Sequence, residues 1–213
     1  MKVQTFTFNA VQENSSVVYN GNKDAVIIDP GCYERFEQQE LADFISDNDL
    51  KVHAILNTHC HIDHVLGNAY CVDRYQVPLI AHKEELFTLS FAERSAEMFG
   101  FSAYVPSPEP TVFVEDLEMI RFGELEFQVI FGPGHCVGHV AFYNEKTNIL
   151  IGGDILFKGS FGRTDLPGGS MEVLKKTIFE RMFTLPDNTV VYPGHGPTTT
   201  IGEEKRTNYI LQF

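Results

Sequence analysis

Five histidines and two aspartates stand where residue type and spacing point to metal chemistry: His59, His61, Asp63, His64, His135, Asp154 and His195. Neutral imidazole and carboxylate are the usual donors for zinc, iron and manganese. His59 and His61 are two residues apart, so in an extended segment their rings point the same way. Asp63 and His64 follow where that segment is expected to turn into a helix. A core strand is a poor explanation for five ligand-type side chains, Cys60 included, within six residues. Left without partners, such groups would cost roughly 1–3 kcal/mol each on burial.

His135 ends the string Gly132-Pro133-Gly134-His135, and His195 sits inside Pro193-Gly194-His195-Gly196. Glycine and proline fix the turns and let the backbone come close to an ion. Asp154 follows Gly152-Gly153, and its two oxygens can bridge two cations. Asp29 and Thr58 are candidates to orient ligand imidazoles from behind, although Asp29 reads equally as a plain turn residue. His139, four residues after His135, is expected to make a structural hydrogen bond or one that supports a ligand. Cys60 and Cys136 are neighbours of ligands and should point the other way, into packing.

Elements that place these groups can be read from the pattern. VQTFTFN, SSVVYN and DAVIID read as strands, with a hairpin signal at Asn20-Gly21 and a stop at Asp29-Pro30-Gly31. A helix is predicted from Tyr33 to Asp47, with Phe36, Leu41, Phe44 and Ile45 on its apolar side. A buried strand over His53–Asn57 leads into the histidine string. A helix over Asn68–Tyr75, a strand over Val77–Ile80 and one long helix over Lys83–Phe99 follow. The later part reads as strands at Glu118–Phe122, Leu125–Phe131, His139–Asn144, Ile149–Gly152 and Thr189–Tyr192. Helices are expected over Met171–Phe183 and Glu203–Leu211, and a glycine-rich loop over Lys158–Gly169. Two strand-rich halves, each with helices, suit two packed sheets better than a doubly wound parallel sheet.

The chain has 213 residues, 43% of them hydrophobic, and a net charge of −13. This length can bury a real core. Without a basic run, a nucleic-acid partner is disfavoured. The N-terminal stretch has no apolar h-region and no run is long enough to span a bilayer, so neither a secretory signal nor a membrane partner is expected. The four cysteines form no paired motif, which fits reduced thiols and a cytoplasmic location.

The seven positions together resemble the metallo-β-lactamase superfamily, whose pattern is HxHxDH, then a lone His, a lone Asp and a final His. The likeness spans essentially the whole chain. Within the superfamily, VIIDPG, THCHIDHVLGN, GPGHCVGH, GGDILF, FGRTDLPGG and YPGHGPTT are similar to the glyoxalase II-like branch of thioester hydrolases. The resemblance implies an α/β (α+β) fold, a four-layer αββα sandwich, as one domain over residues 1–213. It implies two divalent metal ions, zinc foremost and iron or manganese as alternatives. His59, His61 and His135 would hold the first, Asp63, His64 and His195 the second, and Asp154 would bridge. A hydroxide between the ions would attack the carbonyl of a small thioester such as S-lactoylglutathione, with Asp63 available to take up a proton.

The chain also departs from that branch. Glyoxalase II carries a C-terminal domain of several helices, whereas about eighteen residues follow His195 here. Arg163 stands where the branch has a glutathione-contacting lysine, which makes it a candidate substrate contact; Asp165 replaces a tyrosine, and a salt bridge between the two is the competing reading. Alternative functions are a mononuclear iron persulfide dioxygenase, a lactone or β-lactam hydrolase, and a metal-stabilised protein without activity. Oligomeric state is open.

Overall fold

The computed structural model describes residues 1–213. Its strands form two six-stranded sheets and a small two-stranded one. The first sheet runs β1 (Lys2–Phe8), β2 (Glu13–Tyr19), β3 (Asp24–Ile28), β4 (Lys51–Leu56), β5 (Leu79–His82) and β6 (Val112–Val114) in chain order. The second contains β7 (Met119–Phe122), β8 (Leu125–Phe131), β9 (Val140–Asn144), β10 (Ile149–Gly153), β13 (Val190–Pro193) and β14 (Thr199–Thr200). β11 (Leu156–Phe157) and β12 (Ser160–Phe161) make a hairpin that opens the glycine-rich loop.

Alternation along the strands builds the layers, because successive side chains leave a strand on opposite faces. Val26 and Ile28 of β3 and Ala54 and Leu56 of β4 face the second sheet, where Phe127, Val129, Val140 and Phe142 meet them in one buried cluster. Their neighbours Ala25, Ile27 and Ile55 face outward onto α1 (Arg35–Asp47) and α3 (Asn68–Tyr75). On the far side, Ala141, Tyr143 and Leu150 pack beneath α6 (Met171–Thr177), its π-helical continuation Ile178–Met182, and α7 (Ile201–Thr207). The result is the expected αββα sandwich. Burying a side chain such as Phe127 or Phe142 contributes roughly 1.5–3 kcal/mol, so the inter-sheet layer is a main source of stability.

Several local expectations change. Phe36 is 68% exposed, and the buried stripe of α1 is Glu37, Leu41, Ala42 and Ile45. Phe36 lies one residue, about 100° of helix, off that stripe. Glu37 is drawn in because its carboxylate accepts hydrogen bonds from the backbone nitrogens of Asn9, Tyr33 and Glu34. The long helix predicted over Lys83–Phe99 is two helices, α4 (Glu85–Leu89) and α5 (Ala92–Phe99). The break lets α4 turn Glu85 inward while Ala92 and Ala96 of α5 pack on Ile62 and Val65 of α2 (Ile62–Val65). The last helix begins at Ile201, and a 3-10 turn, Tyr209–Gln212, follows it.

Candidate metal centre

The site forms where β4, β8, β10 and β13 end. β4 leads into His59 and His61, and the chain then enters α2, which carries Asp63 and His64. β8 leads to His135, β10 to Asp154 and β13 to His195. β10 and β13 run parallel, so Asp154 and His195 emerge at the same edge. The two sheets meet there through the Val140 N–H donating to the Thr58 carbonyl and the Asn14 N–H donating to the Gly194 carbonyl, each at 2.8 Å.

All seven expected residues converge. Donor atoms of His59, His61 and His135 lie within 4.8 Å of one another, as do those of Asp63, His64 and His195. Asp154 stands between the groups. Its Oδ1 is 3.6 Å from His64 Nε2, and its Oδ2 is 3.6 Å from His135 Nε2 and 3.7 Å from His195 Nε2. His61 Nδ1 faces His135 Nε2 at 2.8 Å.

Outer partners settle which nitrogen each ring turns inward. The Thr58 hydroxyl donates to Asp29 Oδ2 at 2.6 Å, and His59 Nδ1 lies 3.1 Å from that hydroxyl as its donor. His64 Nδ1 is 3.2 Å from the same Asp29 oxygen. His135 Nδ1 donates to the Arg163 carbonyl at 2.7 Å, and His195 Nδ1 to the Gln12 carbonyl at 3.1 Å. Each leaves Nε2 for the centre, the arrangement that holds a ligating imidazole in one tautomer and orientation. His59 Nε2, His64 Nε2 and Asp154 Oδ1 are buried without a hydrogen-bond partner. Orphaned lone pairs of this kind, on nitrogen and carboxylate oxygen, fit divalent metal ions.

Asp29, His59 and His64 also form a close acidic–imidazole group. Both Asp29 oxygens are already engaged, Oδ1 by the Thr58 N–H at 2.7 Å and Oδ2 by its hydroxyl, so Asp29 orients two rings from behind. His139 stacks on His59 with ring centres 4.7 Å apart, and its Nε2 accepts the Asp154 N–H at 3.0 Å. It therefore sets the position of Asp154.

Burial governs the electrostatics. It pushes the His61 imidazole down to about 3 and His135 to about 4, and in His61 the adjacent His135 adds to the effect. His59 is also held well below its ordinary value, by burial and then by His64. These rings stay neutral and able to ligate. Burial works to raise Asp63, but His64, His195 and His61 outweigh it and hold the carboxylate below its usual range.

Four supports were not foreseen. Glu85 Oε2 accepts the Cys60 N–H at 2.6 Å and Oε1 the Gly138 N–H at 2.8 Å, joining the two loops that carry His59, His61 and His135. Glu13 is fully buried with Oε1 3.9 Å from His64 Nδ1, and burial lifts its carboxyl well above the ordinary range. The Asn14 side-chain amide donates to the Pro193 and Gly196 carbonyls at 3.1 and 2.8 Å, clasping the His195 turn. The Arg163 carbonyl orients His135 as described. No local pattern marks Glu85, Glu13 or Asn14 as partners of these loops, because the groups they meet lie far along the chain.

A cavity of about 610 Å³ opens over the centre, reached by His61, Asp63, His135, Asp154 and His195. Arg163 lines it too, but its Nε and Nη2 donate to Asp165 at 2.7 and 2.8 Å. No helix is long and apolar enough to cross a membrane.

Residues 9–195 match the Metallo-beta-lactamase superfamily. Hydroxyacylglutathione hydrolase GloC of Haemophilus influenzae is 32% identical over 215 residues, covering 99% of this chain and 98% of that protein. Among solved structures, the BLEG-1 B3 metallo-beta-lactamase superposes with a TM-score of 0.90 at 32% identity, covering 100% of both chains. TTHA1623 in a di-iron-bound form gives 0.86 at 38% identity, covering 97% of this chain and 99% of that one. With the fold, the ordered His and Asp groups and these likenesses in agreement, the chain belongs to the metallo-β-lactamase superfamily.

Proposed function

We propose that this protein is a dinuclear metal-dependent hydrolase of small acyl-thiol esters such as S-lactoylglutathione. The observation that carries the reading is Asp154, whose two oxygens face the two histidine groups from between them. His59, His61 and His135 would hold one ion, Asp63, His64 and His195 the other, and Asp154 both. Zinc is the first choice for this donor set, with iron or manganese as alternatives. The likeness to GloC supports the thioester as substrate, and four free cysteines accord with the cytoplasm.

When bound, the ions supply Lewis acidity, which makes water nucleophilic near neutral pH and polarises a carbonyl oxygen. The chain's residues do the rest. His59, His135 and His195 are held by outer hydrogen bonds and His64 by the adjacent Asp29 carboxylate, so most of the donor geometry is set before substrate arrives. Asp63, kept ionised and lining the cavity, is placed to take up a proton as the thioester opens. In the net reaction a C–O bond forms from water and the C–S bond breaks. The sulfur leaves with the bonding pair and gains a proton, while the new carboxyl group loses one. Arg163 stands at the mouth for an anionic end of the substrate, provided that it releases Asp165.

The test is metal quantification coupled to a panel of thioesters, lactones and persulfides. Two ions per chain with thioester hydrolysis is the expected result. One iron per chain with oxygen uptake on glutathione persulfide, or lactone cleavage without thioester cleavage, would overturn the reading.

A further inference from the structure

The cavity wall changes character away from the ligands. Phe91, Met98 and Phe99 line it from the α4–α5 side, and Phe157, Phe161 and Leu166 from the loop after β10. Met98 is 70% exposed and Phe99 47%. Side chains of this kind grouped around one concavity are a costly use of surface unless something apolar covers them. The apolar wall begins at the ligands themselves, with the Phe157 ring centre 6.1 Å from that of His195. The two cationic residues of the lining differ. Arg163 is bound by Asp165, whereas Arg94 is exposed and makes no ion pair.

We infer that the cavity selects thioesters that carry an extended aliphatic acyl chain and an anionic group. The chain lies along Phe91, Met98, Phe99 and the Phe157–Phe161 hairpin, and Arg94 meets the anion. A lactoyl group, short and hydroxylated, would leave this wall in water. The inference rests on the thioesterase reading and shifts its substrate class from short acyl groups such as lactoyl to longer aliphatic ones. Continuity of the wall with the ligand cluster favours a substrate over a second copy of the chain as the occupant.

The experiment measures binding, which needs no turnover. S-ethyl, S-butyl and S-octyl 3-mercaptopropionates, and the matching amides, are uncleavable thioethers to be titrated calorimetrically into the full metal-free chain. Affinity is expected to rise about fourfold per added methylene, the factor for burying one CH₂. Met98→Asn and Phe99→Asn, at exposed positions, are expected to flatten that slope. Arg94→Gln is expected to weaken the carboxylates about fivefold and leave the amides unchanged. A flat series, or an Arg94→Gln effect equal on both series, overturns the inference. So does a flat series with concentration-dependent dimerisation that Met98→Asn abolishes, which would assign the wall to a second copy. Acetyl and octanoyl thioesters on the metal-loaded protein separate the two proposals. Chain-length-dependent binding without hydrolysis sinks the thioesterase and keeps the ligand class. Equal hydrolysis of both with flat binding does the reverse.

Discussion

Glu85 lies 2.6 Å from the Cys60 backbone nitrogen, and the same carboxylate reaches Gly138 at 2.8 Å. One buried side chain thus sets the spacing between the loop of His59 and His61 and the loop of His135. The second group, Asp63, His64 and His195, receives no bond from it. Glu85→Gln keeps size but turns an amide N–H toward a backbone N–H. The histidine triad is expected to lose about tenfold in metal affinity, with a stability cost of about 1–3 kcal/mol. Chelator competition and thermal melts of the metal-free protein measure the two effects. Unchanged affinity at both sites would refute the positioning role.

Gly194 has no room for a side chain. A Cβ there would stand 2.1 Å from Asp154 Oδ1 and 2.7 Å from His64 Cε1. On the proposed two-ion centre, Gly194→Ala should therefore displace the Asp154 carboxylate and cut bound metal from two ions to one or none, although no proposed ligand is removed. Circular dichroism should remain that of the folded protein, because the three large hydrophobic clusters lie in the layers below. Full metal retention would count against the geometry.

Asp29 supports His59 through Thr58 and His64 directly. Asp29→Ala removes both supports and strands the Thr58 N–H. Metal affinity is expected to fall about 10- to 100-fold at both sites. Inductively coupled plasma measurements after dialysis at graded chelator strength decide this; loss at one site only would show that the two rings are held independently.

Asp24 joins the sheets at a different place. Its carboxylate accepts the Glu124 N–H and the Asn20 amide, each at 3.0 Å, and pairs with His53 Nε2 at 2.8 Å. The Glu124 and Asn20 bonds, with that to His53, hold the carboxyl at about 2 against 3.8 in a free chain. Because the folded value is depressed, its stabilisation is complete above about pH 4 and is lost as pH falls through 2. Asp24→Asn should lower the urea midpoint at neutral pH and flatten its decline between pH 4 and 2. An identical acid limb in both proteins would disprove the linkage.

His59, His61, Asp63 and His64 and the alternating strands could be read from the sequence because they depend on short-range spacing, whereas His135, Asp154 and His195 were picked out by their order in the pattern the chain resembles. His59 and His61 are near neighbours, and alternation in VQTFTFN and Leu125–Phe131 reports which side chains share a face. The glycine-bounded positions of His135 and His195 added the remaining loops. Tertiary structure alone decided which groups hold those ligands in place. Asn14 reaches Gly196 across 182 residues and Glu85 reaches Gly138 across 53. Hydrogen bonds over such separations follow from how the sheets stack, and local pattern carries no record of that. It also decided that Arg163 pairs with Asp165, that the Lys83–Phe99 stretch breaks into two helices, and that their aromatic side chains wall a cavity. An apolar run has the same composition whether it fills a core or lines a pocket, and only the packing of neighbouring layers distinguishes the two.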